Sequence, residues 1–171
     1  INNSNILFAN ITMLQSTKWE IRNRQRLRFH IGTSEILGRV NLCGAKKICK
    51  GESANIIIRF ESYISVAMDD KFVIRSYSPM ETIGGGIILN PNPNWPKNQL
   101  CKNCSKVPIE LENRLLYFID CYWAYPKSID FWKLTFFNSN FDVDYYLSSK
   151  KSFIIKDSKV FTKTNKHKAI N

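Results

Sequence analysis

Four arginines alternate with other residues in Ile21-Arg-Asn-Arg-Gln-Arg-Leu-Arg-Phe-His-Ile31, the densest cationic pattern in the chain. Read as one extended strand, the segment puts Ile21, Asn23, Gln25, Leu27, Phe29 and Ile31 on one face. Arg22, Arg24, Arg26, Arg28 and His30 fall on the other. Same-face residues repeat roughly every 7 Å, so such a ridge repels itself unless anions neutralise it. The guanidinium fork matches phosphate, and the ridge therefore predicts contact with an RNA backbone. Carboxylates from a neighbouring strand are the other way to neutralise it, and would leave a charged barrel exterior.

Other chemistry is sparser. Five cysteines stand at Cys43, Cys49, Cys101, Cys104 and Cys121, and only Cys101-Lys102-Asn103-Cys104 has metal-type spacing. A structural zinc normally needs a second pair, and neither His30 nor His167 stands near, so metal, redox and simple free-thiol readings stay open, with free thiols expected. No Gly-x-x-x-x-Gly-Lys-Ser/Thr segment occurs, which excludes a P-loop nucleotide hydrolase within these residues. No Ser, His and Asp set has recognisable spacing, and Glu52, Asp69 and Asp70 sit at turn-like positions, so no catalytic residue and no enzyme activity are expected. Gly84, Gly85 and Gly86 interrupt a strand pattern and run into Ile-Ile-Leu rather than a helix. They predict a tight strand crossing, not a phosphate loop.

The elements that must position these groups change type along the chain. Leu7, Ala9, Ile11 and Met13 alternate, and strand-like runs follow over 21–31, 35–43, 54–61, 63–68, 71–76 and 82–89. Turns at Gly44, Gly51 and Asp69-Asp70 fit a small barrel or sandwich. Asn90-Pro-Asn-Pro-Asn-Trp-Pro96 cannot continue a central strand, and marks the boundary between a domain over 1–93 and another over 94–171. Beyond it, Ile109, Leu111, Leu115, Leu116, Ile119 and Trp123 have helical spacing after Pro108. Ser128 reads as the N-cap of a second helix bearing Trp132 and Phe136, and 142–149 as a third with Val143, Tyr146 and Leu147 inward. Asp157-Ser158 then turns a hairpin. Three helices followed by a hairpin is the order of a winged-helix domain, and a basic tail covers 165–171.

The whole chain has 171 residues, 44% of them hydrophobic, so it can bury substantial cores and is not wholly disordered. Its longest apolar runs fall short of the ~18 residues of a membrane span. The first residue is Ile1 and no charged leader precedes the apolar stretch, which suggests a segment of a longer protein rather than a signal peptide. Twenty-five Lys and Arg against fourteen Asp and Glu give a net charge of +11, favouring a polyanionic partner. Isoleucine, asparagine and lysine together supply 55 residues, an A/T-rich coding bias that accounts for much of the lysine. The eight arginines run against that bias, and half of them lie between 22 and 28.

Arg28-Phe-His-Ile-Gly-Thr-Ser-Glu-Ile-Leu-Gly-Arg-Val40, then Phe72-Val-Ile-Arg75, then Ser78-Pro-x-x-Thr-Ile-Gly-Gly-Gly86, resembles the bacterial selenocysteine-specific elongation factors. The resemblance covers about 5–92, their third barrel domain. It implies a mixed, two-domain fold: a six-stranded antiparallel β-barrel of the translation-elongation-factor type, then a winged-helix domain. It further implies a parent GTPase whose GTP and magnesium are held by domains before Ile1, with no cofactor in these residues. The implied partners are selenocysteinyl-tRNA, the ribosome at a UGA codon, and an mRNA hairpin gripped by later domains beyond Asn171. The same resemblance implies a cytoplasmic, membrane-free location. Thr33, Gly38, Arg75, Ser76 and Tyr77 are the implied tRNA contacts, with Arg22, Arg24, Arg26 and Arg28 adding charge to the same domain. Lys46-Lys47 and the Cys43 and Cys49 pair depart from the pattern. The competing reading is a winged-helix nucleic-acid-binding regulator outside translation, against which Asp142 and Asp144 stand on the recognition helix. The aromatic residues over 117–137 are expected to form core rather than to stack on bases.

Overall fold

A computed structural model of the chain describes residues 2–137 and 139–165. The expected tail over 165–171, with His167, lies outside the described residues from 166 onward. The chain divides into two compact units, Ile1–Val107 and Pro108–Asn171.

In the first unit the period-two pattern becomes a closed barrel. Its strands are β1 (Asn2–Met13), β3 (Arg26–Ile31), β4 (Ser34–Asn41), β6 (Ser53–Val66), β7 (Lys71–Arg75) and β8 (Thr82–Asn90). Two short strands, β2 (Ile21–Arg22) and β5 (Lys47–Ile48), pair only with each other. The barrel order is β1-β6-β4-β3-β7-β8, closed by the β1–β8 pairing and antiparallel throughout. Closure leaves none of these six strands at a sheet edge. Most of runs 54–61 and 63–68 forms one long strand, because β6 pairs with β1 from Ser53 to Val66 across a register shift, and with β4 over 57–60.

Inward residues fill the barrel: Leu7, Ala9, Ile11, Leu27, Phe29, Ile58, Phe60, Phe72, Ile74 and Ile88 among them. Phe29 meets Phe60 and Phe72 edge-on, at 5.4 and 5.9 Å between ring centroids. Each such side chain removed from water contributes about 1.5–3 kcal/mol. The glycine run lies in β8, where the strand passes close to both neighbours. A Cβ at Gly86 would stand 2.2 Å from the Asn10 carbonyl oxygen, and one at Gly84 2.6 Å from that of Thr12. The expected close approach is what the glycines permit.

The segment after β8 does not leave the barrel where the prolines suggest. The first unit continues to Val107, past the expected boundary at 93/94. Trp95 stacks on Phe8 at 5.6 Å with the ring planes 10° apart. A short helix, α1 (Leu100–Cys104), unforeseen from the sequence, buries Leu100 and Cys104. Phe8, Ile57 and Leu89 alternate with inward residues, so they point out of the barrel, yet all are buried. Asn55 on β6 donates to the carbonyls of Cys104 and Val107, at 3.0 and 2.9 Å. The prolines end the strand without ending the unit.

The second unit holds α2 (Leu111–Cys121), α3 (Ile129–Thr135) and α4 (Val143–Ser149), then a hairpin of β9 (Phe153–Lys156) and β10 (Lys159–Thr162). Ser128 caps α3 by accepting from the Phe131 N–H at 3.2 Å, and Asp142 caps α4 through Tyr145 at 2.9 Å. Asp157 and Ser158 both have positive φ, the signature of a two-residue hairpin turn. Leu115, Phe118, Ile119, Trp132, Phe136, Val143, Tyr146 and Leu147 form the core. Tyr125 and Phe137 lie on the surface, so the aromatic run is only partly core. Asp120 of α2 accepts from Thr162 and Asn165, at 2.5 and 2.9 Å, tying the hairpin end to the helix. Among the described residues no helix is long and apolar enough to cross a membrane.

Candidate nucleic-acid interface

The arginine segment is not one strand. Ile21 and Arg22 belong to β2, the chain turns at 23–25, and β3 starts only at Arg26. Arg24 sits in that turn with φ 64 and is exposed. The four-arginine ridge therefore reduces to Arg26, Arg28 and His30 on the outer face of β3. The period of two was correct from Arg26 onward. It failed earlier because Asn23 and Gln25 serve the turn: Gln25 accepts from the Arg22 N–H, and Asn23 accepts from the Leu42 N–H.

Strand register then builds a cationic face that the sequence did not reveal. Arg26 stands opposite Arg39 on β4, and Arg39 opposite Arg59 on β6. Arg28 stands opposite Arg75 on β7. Opposed like charges destabilise a sheet, and carboxylates on the same face offset part of this. Glu61 accepts from Arg26 Nε at 2.6 Å and Nη2 at 2.7 Å, a bidentate pair reaching across β4. Arg28 pairs with Glu35, directly across from His30, whose Nε2 lies 3.4 Å from Glu35 Oε2 without hydrogen-bond geometry. Hydrogen bonding from Arg26 holds the Glu61 carboxyl below its usual range and raises Arg26 in turn. Arg22 makes its ion pair elsewhere, with Glu20, which Lys47 shares at 2.8 Å. Both contacts lower Glu20, that of Lys47 more. The Lys46-Lys47 loop thus belongs to the small β2–β5 ribbon.

Tyr77 roofs the face. The guanidinium carbons of Arg26 and Arg28 lie 4.9 and 5.5 Å from its ring centroid, within cation–π range. Ser76 is buried and clasps the loop that carries Tyr77. Its Oγ donates to the Pro79 carbonyl and accepts from the Glu81 N–H at 2.9 Å, and its own N–H reaches the Glu81 carbonyl at 2.9 Å. Two buried donors of this face, Nε of Arg28 and Nε of Arg75, have no acceptor among the described residues.

The expected contacts therefore separate. Arg26, Arg28, Arg75 and Tyr77 come together, and Ser76 positions Tyr77. Thr33 lies in the β3–β4 turn, past the end of β3 at Ile31, which is itself roughly 10 Å of strand from Arg28. Gly38 faces inward, where an added Cβ would stand 2.9 Å from the Phe60 ring. It makes room for packing and offers no surface. Arg39, Arg59, Glu35 and Glu61 are the members that sequence reasoning missed. Alternation alone could have placed each on an outer face, but not on the same one.

A family model described as the β-barrel domain of selenocysteine-specific elongation factors matches residues 8–95, about half of the chain. The chain belongs to this family. A selenocysteine-specific elongation factor of Desulfomicrobium baculatum is 33% identical over 81 residues. That stretch is 47% of this chain and 13% of the relative, so the chain spans a small part of the curated protein it matches. In this chain's barrel the arginine–tyrosine face and the surface covered by the region after β8 both lie on the outer side of the strand alternation, opposite the packed interior. The helical unit lies outside the matched residues.

Proposed function

We propose that this chain is the part of a selenocysteine-specific translation elongation factor that meets the backbone of selenocysteinyl-tRNA and links the GTPase body to domains gripping an mRNA hairpin during UGA recoding. Family membership supplies the context. The observation that carries the tRNA contact is the Arg26, Arg28, Arg75 and Tyr77 cluster, where opposed arginines gather on one outer face and two of them lie against the Tyr77 ring. Phosphate matches the guanidinium fork and offsets the repulsion between opposed arginines. In this reading the helical unit is a winged helix that acts as a bridge, and the protein works in the cytoplasm with the ribosome as its larger partner.

GTP and magnesium belong to the parent's other domains. In this reading these residues, which carry no glycine-lysine phosphate loop, contribute binding rather than catalysis. The regulator reading gains no support from α4, whose Asp144 is engaged by Lys133 at 2.6 Å and whose Asp142 is spent as a cap.

The test is binding of selenocysteinyl-tRNA to the full chain across a range of salt. Arg28→Ala and Arg75→Ala are each expected to lower the salt slope by about one unit, with thermal stability little changed. Unchanged affinity in both variants at every salt concentration would remove this face from the tRNA contact.

A further inference from the structure

A cavity of about 460 Å³ lies in the helical unit, against the first turn of α2 and the length of α4. Glu112, Phe141, Asp142, Tyr145, Tyr146 and Lys150 line it. Its floor is aromatic: Tyr146 is buried, with its ring centroid 5.3 Å from that of Phe141 and 5.7 Å from that of Phe153. Tyr145, 72% exposed, carries the aromatic surface outward to solvent. Two carboxylates complete the wall. Asp142 spends Oδ1 on the Tyr145 N–H, and its Oδ2 accepts no hydrogen bond among the described residues. In a chain of net charge +11, this lining holds two acids against one base.

The chain already places a cation there. Lys150 Nζ stands 5.6 Å from the Tyr146 ring centroid and 4.0 Å from Glu112 Oε2. Both distances are at the outer limit of cation–π attraction and of an ion pair, and both charged side chains are half exposed. The lysine thus marks the cavity as cation-seeking while filling it poorly. Burial, and then the Glu112 carboxylate, raises the Tyr146 phenol, so its ring stays neutral beside an incoming charge.

We propose that this cavity takes an arginine side chain of a partner protein, with Lys150 as the occupant it displaces. A guanidinium is the cation whose shape suits these walls. Its plane stacks on the tyrosine rings and its N–H fork serves Glu112 and Asp142 together, whereas an ammonium offers a compact point charge. Phosphate is repelled by the same carboxylates, which makes the partner a protein rather than a nucleic acid. The exposed Tyr145 ring gives the polypeptide on either side of the arginine an apolar surface to lie on. The site uses no residue of the arginine–tyrosine face and does not rest on the tRNA reading.

The experiment titrates the isotope-labelled full chain with a blocked peptide bearing one arginine between glycines, and follows the backbone amides by NMR. The expected result is saturable shifts centred on Glu112 and residues 141–150. The same peptide with citrulline, neutral and of similar shape, should bind about tenfold more weakly. Glu112→Gln should weaken the arginine peptide about tenfold as well, and Tyr145→Ala several-fold. Neither side chain is buried, so each free variant should keep a dispersed spectrum. Lys150→Ala should bind the arginine peptide more tightly, since the resident cation is gone. No shifts at these amides, equal binding of the citrulline peptide, or weaker binding by Lys150→Ala would each overturn the proposal. A lysine peptide or free L-arginine binding as tightly, or an RNA oligonucleotide shifting the same amides, would overturn it in favour of an ammonium, a small molecule or a nucleic acid.

Discussion

The barrel turns two unlike outer faces outward from the same alternation of residues. On β3, β4 and β7 the outward positions include Arg26, Arg28, His30, Glu35, Arg39 and Arg75, with Glu61 reaching in from β6. On β1, β6 and β8 they include Phe8, Ile57 and Leu89, all buried. Period two is identical on both sides, so it cannot distinguish a face that awaits a partner from one already covered. The difference arises further along the chain. Residues 91–107 bring Trp95, Leu100, Cys104 and Val107, and these cover apolar surface. No comparable segment among the described residues of this unit supplies an apolar cover for the arginines. The covered face is held by burial, whereas the cationic face is held by ion pairs that water and salt weaken.

Removing an anchor from the covered face should therefore have the largest effect. Phe8 is fully buried beneath Trp95, and Phe8→Ala is expected to destabilise the first unit by about 3–5 kcal/mol. Denaturant unfolding would show it, and a loss under about 1 kcal/mol would mean that residues 91–107 do not seal this face. Asn55→Ala comes next. It strips donors from the carbonyls of Cys104 and Val107 and breaks the 2.9 Å bond from Asn10, with an expected cost of about 1–3 kcal/mol. Faster proteolysis within 91–107 in the folded variant would locate the loss.

Legibility in the sequence divides along the same line. The barrel strands were readable because alternation and the motifs around Gly32, Gly38 and the glycine run reinforce one another. The helical unit was readable from spacing plus the Ser128 cap and the Asp157-Ser158 turn. The covering segment was not, since Pro91, Pro93 and Pro96 signal the end of a strand but carry no information on where the chain packs afterward. α1 is too short to show a helical period. The cationic face was half readable. Alternation named Arg26 and Arg28, and the family resemblance named Arg75 and Tyr77, but the pairing of Arg39 with Arg26 and of Glu61 with Arg26 is a matter of strand register. The turn at Arg24 was invisible because Asn23 and Gln25 fit a strand face as well as they fit a turn.

The open face is sharpened by removing its own carboxylates. Glu35 and Glu61 compete with any phosphate for Arg28 and Arg26. If the arginines serve tRNA, Glu35→Gln and Glu61→Gln should each strengthen binding and raise the salt slope by about one unit, while the fold changes little. Weaker binding in both variants would mean that the carboxylates orient the arginines for RNA rather than compete with it. The comparison between the faces would then rest on geometry instead of charge.

The smallest expected effect is the pH dependence of that ion pair. Hydrogen bonding from Arg26 lowers the Glu61 carboxyl from 4.5 in the folded chain. A carboxyl depressed on folding contributes stability above its unfolded value and loses it as pH falls through the folded one. Between about pH 6 and 8 the group is ionised in both states, so its contribution there is constant. Arg26, raised by the same pair, changes nothing in that range because it stays protonated in both states. The parent chain and Glu61→Gln should therefore differ slightly in melting temperature near neutral pH and converge at acid pH, once Glu61 is neutral in the folded chain as well. Salt should shrink the difference near neutral pH, since the pair is exposed. Phe8→Ala should show the opposite pattern, a deficit that neither pH in this range nor salt removes. If the Glu61→Gln difference persisted at low pH, the glutamate would be acting through its packing and not its charge, and the two faces would be less different than their composition implies.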